Sequence, residues 1–181
     1  MNKKIRWITE TAIMLALLVT LQALTKPMGQ LVTGSCVNLI LAVSALFGGV
    51  MSGLTVAVIS PVLAYLLGIA PQILTVPAIM AGNAVYVLLL ALLTDKTGKN
   101  ILRQAITWIC AAAAKFAVLY LIVVKLICGV LAEGLLAAGT LKAPMLNVLP
   151  ATFSFPQLVT ALVGGAAALL IVPVLRKALH K

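Results

Sequence analysis

An all-α integral membrane protein, about six transmembrane helices gathered in one bundle over residues 1–181, is the fold class that three observations predict. The composition is 64% hydrophobic and only 9% charged, with a mean hydropathy of +1.23. That is far too apolar for a water-soluble domain. Apolar runs of spanning length follow one another along the chain, and the 13 basic residues sit in short patches between them. Such spacing does not build the continuous basic face that nucleic acid requires, so the net charge of +10 is read as membrane topology.

The first span runs from about Trp7 to Leu24 and stops at Lys26 and Pro27, because proline disfavours helix in the residue before it. Its basic start resembles a signal peptide, but Glu10 and Thr11 interrupt the early apolar run and no small-residue cleavage site follows, so a retained span is expected. A loop is expected from Pro27 to Ser35. The stretch from Cys36 to Leu67 is too long for one crossing of about 20 residues, and Gly48, Gly49 and Gly53 permit a tight reversal. Two spans are expected, about Leu31 to Phe47 and Val50 to Leu67, the latter bent at Pro61.

Gly68 to Pro77, bounded by Pro71 and Pro77, reads as a second loop. The fourth span covers about Ala78 to Thr94, and the cluster Asp95, Lys96, Thr97, Gly98, Lys99 and Asn100 marks an exit into water. Ala105 to Lys125 is the fifth. Gly129 to Thr152, with Gly134, Gly139, Pro144 and Pro150, is expected to be irregular apart from a short surface helix around Val130 to Ala138. The sixth span runs from about Phe155 to Leu175 and ends near Pro173.

Six crossings put both termini on one side. Lys3, Lys4, Arg6, Lys96, Lys99, Arg103, Arg176, Lys177 and Lys181 lie on that side, against Lys26, Lys142 and Lys125 on the other. The positive-inside rule therefore makes both termini cytoplasmic, and the three longer loops external. Loops clustered on one face are suited to cap a pocket.

The residue inventory argues against an enzyme. The three acids, Glu10, Asp95 and Glu133, all lie near span ends or in loops, and the single histidine, His180, is in the tail, so a proton relay through buried acids lacks its parts. Sodium coupling through backbone carbonyls stays open. There is no glycine-rich phosphate loop, so any ATP must be hydrolysed by another subunit. Intramembrane serine proteolysis and metal-based lipid chemistry lack their residues as well. Cys36, Cys110 and Cys128 show no metal-ligand spacing and read as small core residues. No cofactor is implied.

One charge demands an explanation. Lys115 follows Ala111 to Ala114 and precedes the uncharged run Phe116 to Val124, about 18 Å beyond Arg103 at 1.5 Å per residue, which puts it near the membrane centre. A cation there costs several kcal/mol and usually faces the protein interior, a partner or a ligand. It serves either as a counter-charge for something anionic or as a lysine that snorkels or is solvated in a polar crevice. Few polar residues lie at compatible depth. They are Asn83 in Gly82-Asn83-Ala84-Val85-Tyr86, Gln157 and Thr160 three residues apart on one face, Asn38 at the outer start of the second span, and Gln22 near the outer end of the first. An interhelical hydrogen bond suffices for Asn38 or Gln22 singly. Asn83, Lys115 and Gln157 together, from three spans, favour a pocket.

Small residues supply a second signal. Ala12 and Ala16 leave a shallow notch on the first span where another helix can approach, while Gly49/Gly53, Ala161/Gly165 and Gly164/Ala168 have the same spacing and are assigned to packing within the bundle.

With this layout, the Ala12/Ala16 notch, the Gly48-Gly49 turn and the Pro77 to Leu93 segment with Gly82-Asn83-Ala84, nearly the whole chain resembles the substrate-binding S component of an energy-coupling factor (ECF) transporter, the vitamin-uptake systems of bacteria and archaea. The resemblance implies a plasma-membrane protein that binds a micronutrient in its outer half. It implies docking through Ala12 and Ala16 onto a transmembrane T component carried on two ATPase subunits, and release of the ligand by tilting of the whole bundle. Asn83, Lys115, Gln157, Thr160 and Asn38 are the substrate-binding candidates from depth alone, since substrate residues differ among these proteins. No motif points to riboflavin, thiamine, biotin or folate. A membrane scaffold of the cell-envelope type and a small autonomous carrier are the competing readings.

Overall fold

The computed structural model describes residues 3–69, 72–95 and 100–179, and every regular element among them is helical. The helices are α1 (Lys3–Thr25), α2 (Gln30–Gly48), α3 (Val50–Leu66), α4 (Val76–Leu93), α5 (Ile101–Leu119), α6 (Ala132–Ala137), α7 (Met145–Phe153) and α8 (Phe155–Ala178). Single 3₁₀ turns at Lys26–Met28 and Ile73–Thr75 lead into α2 and α4, and α5 continues as a π-helix over Tyr120–Val130. Five helical segments are long and apolar enough to cross a membrane, and α3, at 17 residues, is apolar but shorter. The chain is a helical, multi-pass membrane protein.

Backbone contact explains which helices form the centre. At the α2–α8 crossing a Cβ on Gly164 would lie 2.6 Å from both Leu39 N and Ser35 O, and one on Gly34 would lie 2.8 Å from Thr160 Cγ2. Only glycine permits so close an approach, which replaces the hydrophobic drive missing between helices in lipid with dense van der Waals contact. Half of the most apolar window of α2 is buried, against 11% of that of α1, so α1 is peripheral. Gly49, at φ +86°, makes the α2–α3 reversal itself and thus serves the turn rather than packing, whereas Gly53 lets α3 lie against Ala45 and Val87.

Side chains tie the helix ends together. Arg176 Nη2 donates to Leu46 O (2.6 Å) and Arg103 Nε to Leu93 O (2.9 Å), each meeting a carbonyl in the last turn of α2 or α4, where the helix dipole favours a cation. Thr11 Oγ1 donates to Ser52 Oγ (2.9 Å) in the first turn of α3. The start of α1 and the end of α8 therefore lie at the same end of the bundle, beside the Gly49 turn. At the opposite end Lys26 Nζ donates to Gly68 O (2.6 Å) and Thr33 Oγ1 to Thr25 O (2.8 Å).

Between the two ends lies an aromatic layer. Tyr86, with no exposed surface, donates its hydroxyl to Ala161 O (3.0 Å), and Trp108 Nε1 donates to Leu162 O (3.0 Å). Both aromatics crowd the face of Gly165, where a Cβ would lie 2.6 Å from Tyr86 Oη. On the terminal side of this layer is a cleft of about 550 Å³ reaching Phe47, Thr94, Gln104 and Arg176, and on the other side a cavity of about 160 Å³.

Several boundaries differ from the sequence expectation. The loop expected over 27–35 contracts to the Lys26–Met28 turn and Gly29, at φ +90°, so α2 starts at Gln30 and Asn38 sits two turns inside it rather than at its start. Gly68 to Pro77 likewise holds a 3₁₀ turn, with Pro77 already inside α4. α8 runs through Pro173 to Ala178, five residues beyond the expected stop. The region expected to be irregular contains the additional helix α7, which accommodates Pro150. Cys110 is exposed on α5 rather than in the core. Pro71, Lys96, Thr97, Gly98, Lys99, His180 and Lys181 lie outside the described residues.

Candidate functional site

Lys115 lies 14 residues into α5, roughly 21 Å along its axis. The alanines before it keep that helix slender, and Ala111 and Ala112 are completely buried against its neighbours. Gly82 does the same for α4, since a Cβ there would lie 2.8 Å from Leu119 Cγ. The result is that α2, α4 and α5 converge on one point, and the Lys115 side chain, 2% exposed, turns into it.

The ammonium is held by dipoles. Lys115 Nζ donates to Asn38 Oδ1 (2.5 Å) and to Asn83 Oδ1 (2.7 Å), and lies 5.5 Å from the centroid of the Tyr86 ring. Hydrogen bonds to a charged group contribute about 1.5–3 kcal/mol each, comparable with the roughly 2.5–3.5 kcal/mol that insertion scales give for lysine at mid-membrane. Two amide oxygens and an aromatic face thus hold the cation without a carboxylate. The lysine therefore does not snorkel.

The polar chain continues across the bundle. Asn38 Nδ2 donates to Thr160 Oγ1 (3.1 Å), Thr160 Oγ1 donates to Gln157 O (3.2 Å), and Gln157 Nε2 donates to Thr152 O (3.2 Å). The Thr160 hydroxyl both accepts and donates, which lets one side chain link α2 to the first turns of α8. The end of α7 meets this chain at Thr152 O, and Phe153 beside it lines the adjoining cavity.

A cavity of about 160 Å³ adjoins the network, with Lys115, Asn38, Asn83 and Gln157 on its polar side. Val37, Ile79, Leu119 and Phe153 form its apolar side. Lys26 stands at the rim, so two cations border the space. The acids lie elsewhere: Glu10 pairs with Arg6 (2.9 Å), Asp95 accepts from Asn100 N (2.9 Å), and Glu133 is in the first turn of α6. Chemically the site is a donor-rich pocket with an apolar wall, suited to holding an acceptor-bearing or anionic molecule.

Five candidates from the sequence are brought together here. Asn83, Lys115, Gln157 and Asn38 line the cavity, and Thr160 stands one hydrogen bond behind it. Gln22 reaches the rim. Ala12 and Ala16 are remote from it, exposed on the outer face of α1. Sequence reasoning overlooked Lys26, Phe153 and Tyr86. Tyr86 was within reach, because it lies three residues after Asn83 and so on the same helical face. Phe153 had no signal, since α7 itself was masked by its prolines. No protein-family model, no curated protein and no solved structure matches the chain.

Proposed function

We propose that the chain is the membrane-embedded substrate-binding subunit of an ECF-type importer for a micronutrient, working with a transmembrane T component and two ATPase subunits in a bacterial or archaeal plasma membrane. The observation that carries this reading is a lysine 2% exposed, solvated by amide oxygens and an aromatic ring, on the wall of a small cavity. A purely structural polar contact in lipid needs no cavity and no cation. A cation kept without a carboxylate partner is the expected preparation for an anionic ligand that supplies the missing charge.

The rest of the bundle supports it. If α3 is counted as a sixth crossing, both termini lie on the side richer in basic residues, which makes that side cytoplasmic and the Lys115 cavity outward-facing. Among the described residues, those lining the cavity include no carboxylate, histidine or cysteine, which favours binding over catalysis. The uncovered Ala12 and Ala16 on α1 leave a small-residue face for the T component, whose ATPases would supply the energy.

Affinity purification of the tagged chain from its own membranes tests this reading. The expected outcome is recovery of a second multi-pass protein and two ATPases in stoichiometric amount. Recovery of the chain with envelope-assembly proteins, or uptake by the chain alone in proteoliposomes, would replace it with the scaffold or the autonomous carrier.

A further inference from the structure

The cavity beside Lys115 offers donors of a particular kind. An ammonium has three N–H bonds, and Lys115 directs two of them at Asn38 Oδ1 and Asn83 Oδ1, which leaves one for a ligand. Asn38 has its oxygen on Lys115 and its nitrogen on Thr160, so both ends of its amide are engaged. Asn83 has its oxygen on Lys115, so the group it presents to the cavity it lines is its N–H₂. Two donors from adjacent side chains, one of them charged, match the two oxygens of a carboxylate.

Charge and size narrow the class. Only one of the two cations at the cavity is buried; Lys26, at the rim, is exposed and already donates to Gly68 O. One negative charge is therefore matched inside. A phosphate monoester, carrying about −1.5 to −2 at pH 7, would bring a further charge into low dielectric with no buried partner. The volume, about 160 Å³, equals roughly five waters at 30 Å³ each and falls below the roughly 300–1,000 Å³ of pockets for drug-sized molecules. The apolar lining beside the donors, Val37, Ile79, Leu119 and Phe153, suits a compact hydrocarbon or aromatic body.

We infer that the Lys115 cavity takes a small organic monocarboxylate, its carboxylate bridging Lys115 Nζ and Asn83 Nδ2 and its body against Leu119 and Phe153. The inference rests on the substrate-binding reading above and names the chemistry of its ligand. Larger vitamins match the site less well in volume, and phosphorylated compounds less well in charge.

The test is calorimetric titration of the purified full chain in detergent with benzoate, nicotinate, 4-aminobenzoate and hexanoate, each beside its carboxamide, and with phenyl phosphate. At least one acid should bind tenfold or more tightly than its carboxamide and than phenyl phosphate. That preference should vanish in Lys115→Met and shrink in Asn83→Leu. Absence of binding by every acid, equal binding of acid and amide, or an acid preference that survives in Lys115→Met overturns the inference. Should Lys115→Met fail to fold, the acid–amide comparison on the unaltered chain decides alone. Recovery of the T component and ATPases without carboxylate binding would sink the inference and leave the importer reading standing; carboxylate binding without those subunits would do the reverse.

Discussion

Lys115 on α5 and Asn38 on α2, 77 positions apart in the chain, meet through a 2.5 Å hydrogen bond in the interior of the bundle. Removing the ammonium has two opposed effects. Each amide oxygen left without its donor costs about 1–3 kcal/mol, while lifting a cation out of mid-membrane gains roughly 2.5–3.5 kcal/mol. The terms nearly cancel, so Lys115→Met is expected to shift the thermal midpoint by only a few degrees while ligand binding falls at least tenfold. Fluorescence-monitored melting in detergent checks this, and a drop beyond roughly 10 °C would mark Lys115 as a structural strut instead.

The α2–α8 crossing should be intolerant of a single methyl group. A Cβ on Gly164 would strike the backbone of α2 at Leu39 N and Ser35 O, which cannot rotate away. Gly164→Ala is expected to cost about 1–3 kcal/mol or more by forcing the helices apart, and to weaken ligand binding by displacing Asn38 from Lys115. Gly134→Ala, with nothing within 4 Å of the new atom, should leave the midpoint unchanged. Equal melting of the two variants would refute the close crossing.

Tyr86 acts twice, through its ring and through its hydroxyl. Tyr86→Phe keeps the ring beside the ammonium and loses only the bond to Ala161 O, an expected loss of about 1 kcal/mol with binding retained. Tyr86→Ala removes the whole buried side chain and is expected to cost about 3–5 kcal/mol. Chemical or thermal unfolding of both variants separates the two contributions.

The exposed face of α1 is expected to matter for uptake and not for binding. Ala16→Trp places a large ring at an exposed position of α1, remote from the cavity, so calorimetric affinity should match the unaltered chain while vesicle uptake and recovery of partner subunits are lost. Undiminished uptake would show that partners dock elsewhere.

Orientation can be read with a membrane-impermeant maleimide. In a background lacking Cys36, Cys110 and Cys128, Lys142→Cys should label in intact cells and Leu179→Cys only after permeabilisation, because both positions are exposed and the proposed six-span topology puts them on opposite sides. The reverse pattern would turn the Lys115 cavity toward the cytosol.

The long helices were legible because apolar length is a strong signal and because Gly48-Gly49 and the Asp95 cluster punctuate it. Their ends were less so. α2 gained its first turns from Gln30 to Ser35, where polar side chains read as a loop, because Gly29 at φ +90° ends the preceding turn sharply and lets helix begin at once. α8 passes Pro173 since the ring's cost falls on one backbone bond while the surrounding helix stays packed. Depth along the spans was enough to bring Asn83, Lys115 and Gln157 to a common level. The side each residue faces needed the crossings, and those depend on Gly34, Gly82 and Gly164, whose spacing fits many partners. The π-helix over Tyr120–Val130 left no trace in a pattern judged at 3.6 residues per turn.

The aromatic layer at Tyr86 and Trp108 stands between the small cavity and the wider cleft. A solute resting against Lys115 has before it the Tyr86 ring, and beyond it the α8 carbonyls of Ala161 and Leu162 that accept from Tyr86 and Trp108, with the wider cleft on the far side of that layer. On the proposed importer function, delivery past that layer would need the helices to come apart or the entire body to change its posture in the lipid, carrying its passenger with it. Cross-linking α4 to α8 across that layer would distinguish the two, since a staple halts a parting of helices and is indifferent to a rigid tumble.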